Sequence, residues 1–310
     1  MQRSMWQRVV VAAMVVLSLT GVACGKKKAA TKKKGEAIDT ALHDALPAAI
    51  KKAGFLRVGS DIEYPPVESF AADGKTPQGI DVELAIAIAR KLGLKLRFEN
   101  DTDFAGIITA LQAGRFDIIM SAMNDTAERR GKGVHFIDYF TAGTSILVAK
   151  GNPQHITSLD SLCGKTVAVQ KGTTQETDTI PGQQPKCTAA KQPKITVIAP
   201  EKATDALLQV KSGRAVAALE DSPVAAYDSK TSGGGNDFQV VGDILDVGRY
   251  GIAVPATCAN PCADANAPKQ LLDAVRGALK DIIADGTYDR VLANFGAQSG
   301  ALKTAAVDGG

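Results

Sequence analysis

Three short stretches of this chain combine residue types that can hold charge. The first is Met120 to Arg130, MSAMNDTAERR, directly behind the apolar run Phe116-Asp117-Ile118-Ile119. Ile118 to Met120 read as a short buried strand. It breaks into the small and polar residues Ser121, Ala122, Met123, Asn124 and Asp125, and a helix is expected to start at Asp125 or Thr126. Either is a good N-cap, and Glu128 stands three residues after Asp125 as in a capping box. Such a corner offers unpaired backbone amides and a positive helix end. Arg129, one turn in, can close its planar fork on a carboxylate from the same side. The second stretch is Gln170-Lys171-Gly172-Thr173-Thr174, whose glycine and hydroxyls suit the presentation of backbone amides to an anion. The third is Glu220-Asp221-Ser222-Pro223, an acid ahead of a helix start. Taken singly, each also fits an ordinary exposed arginine, a loop or a helix cap.

The elements that must position these stretches alternate between strand and helix. A short helix is expected over Ala41–Lys52, weakened by Pro47, and then strand Phe55–Gly59 running into Ser60-Asp61-Ile62-Glu63-Tyr64-Pro65-Pro66. The paired prolines force an extended bend. They hold Asp61 and Tyr64 at the strand's C-terminal end, where open α/β sheets bind ligands. Gly79 to Leu84 opens an amphipathic helix to about Leu92, Leu94–Phe98 alternates like a strand, and Phe104 begins a helix. Thr144–Lys150 and Tyr250–Val254 are expected to pair as strands. Between them lie strands Lys165–Gln170, Ile195–Ile198 and Ala215–Leu219, with helices over Ala203–Ser212 and from Ser222. Such alternation argues for a mostly parallel sheet. Pro268–Phe295 is expected to be helical, and the small, polar residues after Gly296 form a loose tail.

The N-terminus carries an export signal. Arg3 and Arg8 precede an apolar run from Val9 to Leu19 that is too short for a membrane span of about 20 residues. Small residues then lead to Ala23-Cys24-Gly25, an imperfect lipobox with Gly21 where leucine is usual, so Cys24 is the expected acylation site. Gly25 to Glu36 carries six lysines, a tether suited to an anionic membrane surface. Residues 1–34 hold eight of the chain's 36 Lys and Arg and none of its 33 acids, leaving 28 against 33, a net of −5. A mildly acidic body argues against a nucleic-acid surface.

Several of these stretches, in this order, resemble the bacterial solute-binding proteins of family 3, the extracytoplasmic amino-acid receptors of ABC importers. LRVGSDIEYPPVES is similar to their first-strand signature, and GIDVELAIAIARKLG to their second segment. MSAMNDTAER resembles their Ser-Gly-Met, Thr-Pro-Glu-Arg corner, and VAVQKGTTQ their carboxylate loop. Asp-Ser-Pro at Asp221 and ADGTYDRVLANFG near the end complete the likeness, which spans about residues 54–296.

The resemblance implies an α/β, two-lobed periplasmic-binding-protein-like (type II) fold, with two mostly parallel sheets joined by a two-strand hinge. On that layout residues 1–23 are the signal peptide and 24–40 the lipid anchor and tether. Lobe one is 54–143 and returns over 248–296, lobe two is 144–247, and 297–310 are a flexible tail. The implied ligand is an L-amino acid. Its carboxylate would meet Arg129 and the amides around Ala122, Met123 and Thr174, and its ammonium would meet Asp221 and the carbonyl or hydroxyl of Ser121. Asp61, Tyr64, Phe104, Gln170 and Glu220 would line the side-chain pocket. Two acids among these favour a basic ligand, while Gln170 and Asp61 could equally serve a polar amide.

A membrane permease is the implied partner, and a monomer on the outer face of the cytoplasmic membrane or in the periplasm is expected, with no cofactor, metal or nucleic acid. The five cysteines fit export. With Cys24 lipidated, Cys163 with Cys187 and Cys258 with Cys262 are the expected bridges, although sequence leaves connectivity open. Three other readings remain: a dehydratase-like enzyme on the same fold, a sensory ligand-binding domain, and an exported structural protein. No Ser-His-Asp set, metal cluster or nucleotide-binding glycine motif supports the first.

Overall fold

A computed structural model describes residues 37–100, 103–258 and 264–310. The signal segment, Cys24 and the lysine tether lie outside the described residues.

Helix α1 (Thr40–Ala45) is capped by Asp39, whose carboxylate accepts the Leu42 N–H at 2.9 Å, and α2 (Ala48–Ala53) follows. A single helix was expected over this stretch. Pro47, lacking an N–H and crowding the preceding turn, divides it in two. Strand β1 (Phe55–Gly59), the short hairpin β2 (Ser69–Phe70) and β3 (Pro77–Gln78), helix α3 (Ile80–Lys91) and strand β4 (Lys95–Glu99) come next. Ile80, Leu84 and Ile88, one helical turn apart on α3, are buried on a single face. A 3-10 turn over Phe104–Gly106 leads into α4 (Ile107–Gln112), then β5 (Ile118–Ile119), α5 (Ala127–Gly131) and the long β6 (Val134–Ala149). The chain continues through β7 (Thr166–Ala168), α6 (Ile180–Ala189), β8 (Thr196–Ile198), α7 (Ala203–Lys211), β9 (Ala217–Asp221) and α8 (Ser222–Thr231). It returns along β10 (Phe238–Pro255) to α9 (Ala267–Ala284) and α10 (Thr287–Asn294).

The strands lie in the order β4-β1-β5-β10-β6-β9-β7-β8. β1 pairs parallel with β4 and β5, and β7 pairs parallel with β8 and β9. Between these two parallel groups stand β10 and β6, antiparallel to each other and to their neighbours. This is the two-lobed arrangement: two parallel groups, each with its own core, joined by two strands. The first core gathers Leu56, Val58, Leu84, Ile88 and Leu279, and the second Ile146, Val167, Val169 and Leu219. The connecting strands are longer than expected. The stretches 144–150 and 250–254, expected to pair with each other, instead lie toward the C-terminal ends of their strands. Residues 144–149 of β6 pair with 238–245 of β10, and 250–254 of β10 with 135–140 of β6, because each strand runs through both groups. Register shifts between Val241 and Gly248 interrupt their ladder, and such irregularities bend and twist a strand pair.

Cys163 and Cys187 are bridged, with Cα atoms 5.4 Å apart, so α6 is tied to the loop ahead of β7. The second expected pair includes Cys262, which lies outside the described residues.

The expected loose tail is docked. Asp308 donates its N–H to the Phe136 carbonyl, and its carboxylate accepts the Phe136 N–H at 2.9 Å and meets His135 Nδ1 at 2.7 Å. The Asp138 N–H donates to the Ala306 carbonyl, Val307 bridges to Ile137, and Ala305 is buried. The reason is backbone demand. Between Val134 and Ala142, β6 pairs with β10 on one side only, and the tail supplies partners for its other edge.

Candidate functional site

The strand ends of both groups converge on one cleft with about 310 Å³ of empty space. Asp61 and Tyr64 reach it from the segment after β1, Ser121, Ala122 and Asn124 from the corner after β5, and Arg129 from α5. Phe104 comes from the turn before α4. Across the cleft stand Gln170, Thr173 and Thr174 after β7, and Asp221 at the end of β9.

Arg129 is 6 % exposed, and among the described residues it forms no ion pair. Its guanidinium donates to the Asn124 carbonyl at 3.0 Å and, across the cleft, to the Gly172 carbonyl at 2.9 Å. It also lies 5.4 Å from the centroid of the Phe104 ring, within cation–π range. Burial lowers its pKa, and Asp221 pulls the other way. Gly172 has φ +79°, and a Cβ there would come within 2.7 Å of the Ala105 backbone, so this close approach of the two halves requires glycine.

Asp221 is held by neutral donors. Tyr250 Oη donates to one carboxylate oxygen at 2.6 Å and Gln175 Nε2 to the other at 2.8 Å. The Asp221 N–H donates to Tyr64 Oη at 2.9 Å. Asp221 is the N-cap residue of α8, but its side chain makes no capping bond; the carboxylate is free to face the cleft. Burial pushes it up to about 6, against the pull of Tyr250, Gln175 and Arg129.

At the other acid position, Gln170 Nε2 donates to Asp61 at 2.6 Å and to the Glu201 carbonyl at 2.9 Å. Burial raises Asp61 to about 6. Ser121 Oγ accepts the Asp61 N–H at 2.9 Å and donates to Glu68 at 3.0 Å. Thr174 Oγ1 meets the Asn124 side chain at 3.1 Å, another contact across the cleft.

Several expectations need correction. Glu220 does not line the cleft. Neighbouring strand residues point to opposite faces, so with Asp221 facing the cleft Glu220 is buried on the other side. There burial, Asp228 and Asp221 hold it well above the usual carboxylate range. The Met123 side chain joins the apolar cluster of Ile107, Leu111 and Phe116 instead of lining this chamber. The Ala122 N–H is already taken by Asp81, at 2.9 Å. The cap of α5 is Thr126, whose hydroxyl accepts the Arg129 N–H at 3.2 Å. Asp125 pairs with Arg130 instead, so the expected capping box with Glu128 does not form.

Three residues that line the cleft, Glu68, Asn124 and Thr173, were not among the expected ligand-binding residues. Glu68 is 1 % exposed, and its second carboxylate oxygen has no hydrogen-bond partner among the described residues. Burial and then Asp81 hold it well above its ordinary range. Glu68 stands four residues after Tyr64, beyond the proline pair, and nothing in that local stretch says which way it turns. Asn124 lies between Met123 and Arg129, and its carbonyl is one of the two that hold the guanidinium.

Comparison with known proteins gives a consistent result. A family model, that of the bacterial extracellular solute-binding proteins, family 3, matches residues 56–298. The arginine-binding protein ArgT of Corynebacterium glutamicum is 32% identical over 263 residues, 85% of this chain and 81% of that protein. The histidine-binding periplasmic protein of Escherichia coli is 28% identical over 242 residues, 77% of this chain and 86% of that one. Among solved structures, an ancestral arginine-binding protein bound to arginine is similar at a TM-score of 0.65. It is 35% identical, and the match covers 78% of this chain and 98% of that chain.

Proposed function

We propose that this chain, which belongs to the bacterial extracellular solute-binding proteins, family 3, captures a basic L-amino acid, arginine foremost, and delivers it to a membrane permease. The observation that carries this is the unequal charge of the cleft. One buried guanidinium without an ion pair stands at one end, and three carboxylates, Asp61, Glu68 and Asp221, stand on its walls. An α-carboxylate answers Arg129, with the Thr174 corner supplying further donors. An α-ammonium answers Asp221. A second cation at the far end of the side chain answers Asp61 and the unpartnered oxygen of Glu68. Buried charges are tolerated when each is paired and hydrogen-bonded, and arginine supplies the missing partner at every position. The names of the arginine-binding relatives support the same choice.

Because the lining comes from both sides of the β6/β10 connection, capture is coupled to closure of the cleft, and the closed form is what the permease would recognise. Export through the N-terminal signal and acylation at Cys24 would keep the receptor at the membrane surface.

The test is isothermal titration calorimetry on protein refolded to strip bound ligand, against the twenty amino acids with ornithine and citrulline. Trp6, the one tryptophan, lies in the signal segment, so heat is a better readout than tryptophan fluorescence. Arginine, lysine or ornithine should bind tightest. Tight glutamine binding with weak arginine binding would refute the roles given to Asp61 and Glu68. No heat from any amino acid, with the protein folded, would refute the receptor reading.

A further inference from the structure

Beyond Arg129 lies a second chamber that the clamp does not use. It holds about 630 Å³ of empty space, against about 310 Å³ on the clamp side. Arg129 and Phe104 border both chambers, and Gly172, whose carbonyl accepts from Arg129, borders the far one. The partition between them is therefore the guanidinium, the ring beneath it, and the Arg129–Gly172 hydrogen bond. The far chamber has apolar walls from Ile108 and Met123, and a second cation, Lys132. Lys132 is half exposed and, among the described residues, is paired with Glu128, its i,i−4 neighbour, at 2.9 Å, an arrangement of small net worth.

We propose that this second chamber receives the C-terminal residue of a dipeptide whose first residue occupies the clamp chamber. The proposal rests on the amino-acid reading above. The position of the partition selects this ligand class. Whatever is attached to the carboxyl carbon of a clamped amino acid must pass Arg129 and enters the far chamber directly. The chemistry at the partition suits a peptide bond. Arg129 donates to the peptide carbonyl, the Gly172 and Asn124 carbonyls are acceptors within its reach, and the terminal carboxylate lies between Arg129 and Lys132. At the opposite end an extension is blocked, because Asp221 is enclosed by Tyr64, Tyr250 and Gln175.

The experiment is calorimetry on the full chain with arginine, arginyl-alanine and argininamide. The variants are Thr109→Trp, which fills the far chamber from an exposed position on α4 outside the clamp lining, and Lys132→Met. Arginyl-alanine should bind within about tenfold of arginine and at least about tenfold tighter than argininamide. Thr109→Trp should cost arginyl-alanine at least about 20-fold, and Lys132→Met about three- to tenfold, each leaving arginine within about twofold. Arginine binding with no detectable arginyl-alanine binding would overturn the second chamber and leave the amino-acid reading intact. So would arginyl-alanine binding that Thr109→Trp leaves unchanged, or that argininamide matches. Absence of arginine binding in the unmodified protein would overturn the amino-acid reading and the chamber proposal with it.

Discussion

The two ends of the clamp chamber satisfy their charges by the same means but in unequal number. At one end the Arg129 guanidinium is held by two carbonyl oxygens and an aromatic face. At the other, Asp61 and Glu68 are held by an amide and a hydroxyl. Asp221, whose charge acts on Arg129, is held between the two ends by a phenol and a second amide. Neither end neutralises the other. Neutral donors and acceptors fix the geometry of each group without an ion pair, and at Glu68, where burial and Asp81 favour the protonated form, the charge develops only when a cation enters. The excess of acid over base leaves room for a ligand bearing one negative and two positive groups.

The largest disturbance to this balance is loss of the single cation. Arg129→Met should weaken every amino-acid ligand by about 3–5 kcal/mol, more than 100-fold, because the ligand carboxylate is then buried unpaired; calorimetry with arginine and glutamine tests whether the loss is common to both. Glu68→Gln attacks the other end. It should weaken arginine about 10- to 100-fold, the loss of a charge-assisted bond, while changing glutamine little, so the ratio of the two affinities is the readout. Acidification disturbs the acid end without mutation. Asp61 and Asp221 stand near 6 in the ligand-free protein, so a cationic ligand must displace protons below that pH. Arginine affinity should fall about tenfold between pH 7 and pH 5 for each such group.

The ligand-free protein should move the other way. A carboxyl raised on folding binds more protons folded than unfolded between about pH 4 and 6, so its contribution to stability is lost as pH rises through that window. Melting curves with and without arginine should therefore converge at low pH and separate at neutral pH. The smallest effect belongs to Lys202, which reaches across the cleft mouth to Glu63, with 50 % of its side chain exposed. Lys202→Ala should change arginine affinity by no more than about 1 kcal/mol, and less in high salt.

Most of the strand-end chemistry was legible because it is local. A strand, a break into small residues and a cap are enough to place Arg129, Thr174 and Asp221 at element ends. What failed needed information from beyond the local stretch. Glu220 and Asp221 are adjacent acids, and only the facing of β9 against β6 decides which one sees the cleft. Asp125 and Thr126 compete for one cap, and the competition is settled by Arg130, which engages Asp125. Glu68 follows a bend whose direction the proline pair does not specify. The tail has the composition of a loose end but meets a strand edge with unpaired backbone, and that edge exists only once the sheet is assembled.

The strand order also dictates a schedule. β10 lies between β5 and β6, so the first parallel group cannot complete its sheet until residues beyond 250 are present. The β7–β9 group needs only a continuous run ending near residue 221, with β6 as its border, and it carries the Cys163–Cys187 bridge. A chain emerging N-terminus first can therefore organise its middle before its beginning, since nearby partners meet sooner than distant ones. Asp61 and Arg129, synthesised well before Asp221, wait on the last third of the chain for their final positions.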